Sequence, residues 1–260
     1  MTPQSTAAAA QLLFDARKAH RQDVKLSDAL VPRDSAEALA IQQRVGTILG
    51  LPIGAWKCSV PTAEKPSILA PIFAPTVRRD SPCPIALYRG AARVEPEVAF
   101  EMGKDLPARR RPYSDGEIRS AIGETRLVLE LIGARYPDQT AVSFPELLAD
   151  GIANQGLFVG PAVAAALDKP LEAFAITVDS PQGRVVARDG KHPDGHPLRP
   201  LLWLANFLAS GGYAGVDGLK AGQVVTTGSY CGVLEVPLDT KLSVLYGELG
   251  TLAVEFTLKT

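Results

Sequence analysis

Two glutamates, Glu95 and Glu97, interrupt a run that otherwise reads as a β-strand, residues 93–100, RVEPEVAF. Strand side chains alternate faces, so Val94, Pro96, Val98 and Phe100 point one way and Arg93, Glu95, Glu97 and Ala99 the other. Two carboxylates side by side repel unless positive charge lies between them. Solvent with Arg93 is one source of that charge, and a metal ion is another. A third acid, Glu130, stands alone in the apolar run of residues 127–132. A buried carboxylate must be paired, protonated or bound to a cation. Arg126 and Arg135 are the nearby ion-pair candidates. Together the three carboxylates form an all-oxygen donor set suited to Mg²⁺ or Mn²⁺, whereas histidine or thiol ligands would imply zinc or copper. An open site of this kind suits a substrate with adjacent keto and carboxylate oxygens, whose carbonyl the metal polarises and whose enolate it stabilises.

Three further features bear on such a site. Lys57, in GAWKCSV, is either an edge-strand lysine with its ammonium in water or a cation that binds a carboxylate or moves a proton. Thr226, Thr227, Gly228 and Ser229 offer hydroxyls and backbone N–H groups at a strand end, either as a polar turn or as a cradle for an anion. His192 and His196 lie in the loop KHPDGHPLRP and suit capping or packing. G-x-S-x-G, G-x-G-x-x-G and the P-loop do not occur, which removes the simple serine-hydrolase and nucleotide readings.

The elements that must position these residues are legible from periodicity. A capping pattern, Asp34 and Glu37, starts a helix that runs to Gly50, and the first fifty residues are expected to be helical. Short β-like runs follow: IGAWKCSV, RVEPEVAFEM, RLVLELIGAR, GLFVGPAV, a hairpin around Pro181 and Gly183, QVVTTGSY, VLEVPL, KLSVLYGELG and TLAVEFTL. SFPELLADGIA and PLRPLLWLANFLASGG are expected helices. Strands outnumber helices without βαβ alternation, so the expected class is α+β, with a helical region at 1–50 and a β-rich roll at 51–260. The chain has 260 residues, 46% of them hydrophobic, and a net charge of -1, which gives no sign of a nucleic-acid partner. Three cysteines without C-x-x-C spacing argue against a disulfide framework. With no bilayer-length apolar run and no secretory pattern at the N-terminus, a soluble cytoplasmic protein is expected.

In this order, RVEPEVAFEMGKDLP, LVLELIGARYPD, GHPLRPLLWLANFLA and LKAGQVVTTGSYCG resemble the 2-keto-4-pentenoate hydratase / 4-oxalocrotonate decarboxylase group of the fumarylacetoacetate hydrolase superfamily. The resemblance spans most of the chain. It implies a mixed β-roll, usually homo-oligomeric, with Mg²⁺ or Mn²⁺ held by Glu95, Glu97 and Glu130. Lys57 would be a catalytic or substrate-orienting lysine, and Arg135 is retained as a catalytic residue. Thr227 and Gly228 would contact the substrate's carboxylate end. The implied activity is hydration of a 2-hydroxy-2,4-dienoate in aromatic-compound catabolism. The alternatives are decarboxylation of a 2-oxo diacid at the same site, or a non-catalytic acid-binding relative. A carbon–carbon hydrolase would need a lid histidine, and none lies between His20 and His192. Pro75 stands where the family has an acid and Ala134 where it has a serine, which leaves the metal site intact and the proton donor unassigned.

Overall fold

The computed structural model describes residues 1–63 and 66–259. In chain order the elements are α1 (Pro3–Lys18), α2 (Ser35–Leu49), β1 (Ile53–Cys58), β2 (Leu69–Phe73), β3 (Val77–Arg78), β4 (Cys83–Ile85), β5 (Ala92–Met102) and β6 (Leu106–Pro107). Next come α3 (Asp115–Ala121), β7 (Ile122–Ile132), α4 (Phe144–Ala149), β8 (Asn154–Ala162), β9 (Ala173–Ser180), β10 (Gly183–Lys191) and α5 (Leu198–Ala209). The chain closes with β11 (Gly218–Leu219), β12 (Val224–Thr226), β13 (Leu234–Val236), β14 (Lys241–Tyr246) and β15 (Thr251–Leu258). This is the expected α+β class.

The helix ends follow local rules. Asp34 caps α2 by accepting from the Glu37 N–H at 2.9 Å, and Gly50 ends it at φ 62, a conformation that costs glycine nothing. The first fifty residues are less helical than expected, because 19–34 form an irregular connection. Small side chains let α1 and α2 approach closely. Ala9, Ala10, Leu13 and Ala16 are buried with Ala38, Ile41 and Val45, and Tyr136, Leu148 and Ala149 from the body of the chain complete that core.

The larger sheet runs β2-β1-β12-β5-β7-β8-β3, with β13 also on β5, and it curls until β2 lies against β8. Its inner face is filled by Ala55, Ile72, Ala99, Val128, Leu157, Val159 and Val224. The second sheet, β10-β9-β14-β15-β4, packs on its outer face through Val94, Val98, Leu127, Leu129 and Leu131. The hairpin β14–β15 seals this contact, where the Tyr246 hydroxyl donates to the Val128 carbonyl at 2.6 Å. Helix α5 covers Trp56, Phe100 and Val225 elsewhere on the large sheet.

One irregularity in this sheet matters most. Along one side of β5, Ala99, Phe100 and Glu101 pair with β12, and Ala92, Arg93 and Val94 pair with β13. Residues 95–98 fall in the gap between those two ladders. A proline is tolerated at such a break because no ladder partner there needs its missing N–H, and Pro96 occupies it.

Candidate active site

Register brings the acids together. Glu95 lies directly opposite Glu130 on β7, Ala99 opposite Thr226 on β12, and Thr226 opposite Lys57 on β1. Paired residues share a face, so Lys57, Thr226, Glu97, Glu95 and Glu130 converge at one end of the roll's interior. One oxygen from each of the three glutamates lies within 4.8 Å of the others. Glu130 is fully buried and Glu97 nearly so.

The nearby arginines do not neutralise these acids. Arg93 is paired with Glu235 at 2.7 Å, Arg126 with Glu101 at 3.0 Å, and Arg135 with Asp150. The partner of Glu130 is Lys57, whose Nζ lies 2.6 Å from Oε1. Lys57 is therefore no edge-strand lysine, since β1 sits between β2 and β12 and the side chain is buried. Its ammonium also donates to the Ile152 carbonyl at 3.2 Å.

Two of the three acids, Glu130 and Glu97, are held from behind. The Asn154 amide donates to Glu130 Oε1 at 2.9 Å. Glu97 Oε2 accepts from the Thr226 hydroxyl and from the Gly228 N–H, the latter at 2.8 Å. Gly228 sits at φ 123, and a Cβ there would meet Pro193 Cγ at 2.8 Å, so the turn that aims this N–H into the β5 gap requires glycine. Asn154 was not among the sequence-derived site residues, and Thr226 was offered only as part of a polar turn or an anion cradle. Their places behind the acids come from cross-strand neighbours, which the local pattern does not mark.

One lysine does not balance three carboxylates. Burial, reinforced by the charge of Glu130, pushes Glu95 up to about 7. Burial, then Glu130 and Glu95, pushes Glu97 up to about 8. Burial opposes the charge on Lys57, yet Glu130 first and then Glu95 hold its pKa above the ordinary lysine value. Glu130 Oε2 is buried and has no hydrogen-bond partner among the described residues. A buried acceptor left without a donor is costly. A glutamate with an orphaned oxygen beside two further carboxylates marks a place for a cation, and the all-oxygen donor set fits a hard divalent ion.

A cavity of about 640 Å³ opens over this cluster. Val60, Pro66, Ile68, Phe144 and Ile152 give it an apolar wall, and Lys57 is its only basic lining residue among those described. Asp194 stands at its edge, accepting from the Val60 N–H at 2.9 Å. The His192–Asp194 turn packs behind it. His192 Nδ1 accepts from the Asp194 N–H at 3.2 Å, which leaves Nε2 to donate toward the Thr227 hydroxyl, 3.4 Å away. Burial holds His192 down at about 4, so it is neutral.

Two expected site residues lie elsewhere. Thr227 is fully buried, and its hydroxyl donates to the Val98 carbonyl at 3.0 Å, away from the cavity. Arg135 does not line the cavity. Its guanidinium is consumed by Asp150 and by the carbonyls of Gly133, Asn154 and Asp150. Of the predicted set, the structure brings together Lys57, Glu95, Glu97, Glu130 and Gly228. Pro75 and Ala134 also lie outside the cavity.

Known proteins resemble this chain in sequence and in fold. No protein-family model matches the sequence. The chain is 28% identical to 2-keto-4-pentenoate hydratase 1 of Dechloromonas aromatica (strain RCB) over 97% of each chain. It is 26% identical to 2-hydroxyhexa-2,4-dienoate hydratase of Comamonas testosteroni over 64% of this chain and 60% of that one. Among solved structures, 4-oxalocrotonate decarboxylase from Pseudomonas putida G7, complexed with magnesium and adipate, superposes with a TM-score of 0.78 at 18% identity over 99% of both chains. Fumarylpyruvate hydrolase from Pseudomonas aeruginosa, with Mn²⁺ and pyruvate, superposes with a TM-score of 0.52 at 16% identity over 80% of this chain and 91% of that one.

Proposed function

We propose that this chain, which belongs to the 2-keto-4-pentenoate hydratase / 4-oxalocrotonate decarboxylase group of the fumarylacetoacetate hydrolase superfamily, is a hydratase of a 2-hydroxy-2,4-dienoate in aromatic-compound catabolism. The observation that carries this reading is the cluster Glu95, Glu97 and Glu130 with Lys57 beneath an apolar-walled cavity. The three carboxylates would hold Mg²⁺ or Mn²⁺, which when bound supplies an electrophile for the substrate's carboxylate and 2-oxygen.

The rest is work for this chain's own side chains. Hydration requires a proton to leave the 2-hydroxyl and one to arrive at C5; the resulting enone then takes hydroxide at C4 and a proton at C3. Lys57 Nζ, 2.6 Å from Glu130 Oε1, is the group placed to hold and pass that proton. Thr226, Gly228 and Asn154 fix the carboxylates, as outer partners do around a metal. Val60, Ile68, Phe144 and Ile152 exclude bulk water and receive the hydrocarbon tail. Lys57 is the one basic residue among the described lining, and Asp194 stands at the cavity's edge. We further place the protein in the cytoplasm as a homo-oligomer; no described helix is long and apolar enough to cross a membrane.

The test is decay of the 2-hydroxypenta-2,4-dienoate absorbance with Mg²⁺, with Mn²⁺ and with EDTA. Loss of the band only with metal, yielding 4-hydroxy-2-oxopentanoate, is expected. No hydration, with CO₂ released from 4-oxalocrotonate instead, would replace this reading with the decarboxylase.

A further inference from the structure

A second cavity, of about 450 Å³, lies between the C-terminal end of α1, the end of α2 and the loop after β7, and it shares no lining residue with the first. Its charge is opposite. Arg17, Lys18, His20, Arg21, Arg135 and Lys259 line it, and no acid does among the described residues. Two of these cations are already neutralised, Arg135 by Asp150 and Arg21 by Asp23. Arg17, Lys18 and Lys259 have no carboxylate partner among the described residues. Arg17 makes one described hydrogen bond, to the Asp150 carbonyl at 3.2 Å, which leaves most of its guanidinium donors free. Cations in the last turn of a helix complement its dipole, which accounts for part of Arg17 and Lys18. It does not account for Lys259, which arrives from beyond the end of β15.

The cations feel one another. Burial, then Arg135, draws Arg17 down to about 9, and burial with Arg78 and Arg17 lowers Lys259. Such crowding is unfavourable unless an anion relieves it. Most of the remaining wall is apolar and includes Phe14, Ile48, Leu49 and Phe73, with Gln22, Thr76 and Gln155 as its uncharged polar members. Gln155 adds no free donor, since its amide is tied to Ala86 and Ile132.

We propose that this pocket binds an organic anion, a carboxylate or phosphate head against Arg17 and Lys259 with an apolar body on Phe14 and Phe73. This proposal is independent of the hydratase reading.

The experiment is fluorine NMR titration of the full chain with 4-fluorobenzoate and with 4-fluorophenyl phosphate, each in Mg²⁺ and in EDTA. Saturable binding of either probe, equal in the two buffers, is expected. Lys259→Glu should weaken it about tenfold or more while the melting temperature and dienoate turnover stay unchanged. The preferred probe distinguishes the two head groups. Binding abolished by EDTA would put the probe on the metal of the acidic cavity and overturn the proposal. Equal binding of uncharged 4-fluorobenzamide, displacement by inorganic phosphate as effective as by benzoate, indifference to Lys259→Glu, or no binding at all would each overturn it too.

Discussion

The acidic cavity and the basic pocket share no lining residue, and they treat charge differently. In the acidic cavity three carboxylates converge on one lysine, and one carboxylate oxygen is left without a donor. In the basic pocket the buried guanidinium of Arg135 makes four hydrogen bonds, to the Asp150 carboxylate and to backbone carbonyls. A buried ionic group with most of its hydrogen bonds made suits a structural role, whereas a buried carboxylate oxygen without a donor suits a ligand site. On that contrast we propose a chemical role for Glu130 and a structural one for Arg135, although the sequence offered both as site residues.

That contrast can be broken most decisively at the acidic end. Lys57→Met should lower dienoate turnover by about 10²–10⁴ while calorimetry still detects Mg²⁺ or Mn²⁺ binding. Near-normal turnover would return Lys57 to a structural role. Glu97→Gln should weaken the cation and turnover together by several kcal/mol, about two to three orders of magnitude. Unchanged metal affinity would show that the ligand set is misassigned.

Arg135→Met sharpens the other half. It strands Asp150 in the interior, so thermal and urea unfolding should show a loss of about 3–5 kcal/mol, while turnover per folded molecule is retained. A normal melting temperature with lost turnover would make Arg135 catalytic after all. Thr226→Val removes the hydroxyl behind Glu97 and should reduce cation affinity about 10–100-fold with the fold intact.

The smallest effect is a pH slope. Glu95 and Glu97 titrate near about 7 and about 8 when folded and metal-free, above the ordinary carboxylate value. The folded state therefore binds more protons than the unfolded one across that interval. Stability of the EDTA-treated protein should fall as pH rises from about 5 to about 8. Saturating Mg²⁺ should flatten or reverse the slope, because metal binding expels those protons. Melting curves at several pH values, with and without Mg²⁺, decide it.

Much of the fold was legible in advance for local reasons. The cap at Asp34, the stop at Gly50, the hairpin near Gly183 and the strands around Val98, Glu130 and Val244 depend on periodicity and turn chemistry over a few residues. β2 and β4 passed unnoticed because proline and cysteine interrupt short runs whose pairing is decided by distant strands. Residues 19–34 passed for helix because an Ala-rich start and a capped second helix flank them.

At the site, residue type alone singled out Glu95, Glu97 and Glu130, since acids in apolar strand runs are expensive wherever the chain goes. Tertiary structure alone decided which cations answer them. Lys57 is 73 residues from Glu130 in sequence, yet it reaches Glu130 because β1 and β7 lie on one curled sheet. Arg126 and Arg135 are near in sequence and are spent elsewhere. The same register turned the Thr227 hydroxyl toward Val98 and placed Asn154 and Thr226 behind the acids. The need for a partner is a property of one residue and its immediate neighbours, so the sequence by itself determined it. The identity of that partner is set by strand order, register and the break between β12 and β13, which exist only once the chain has folded.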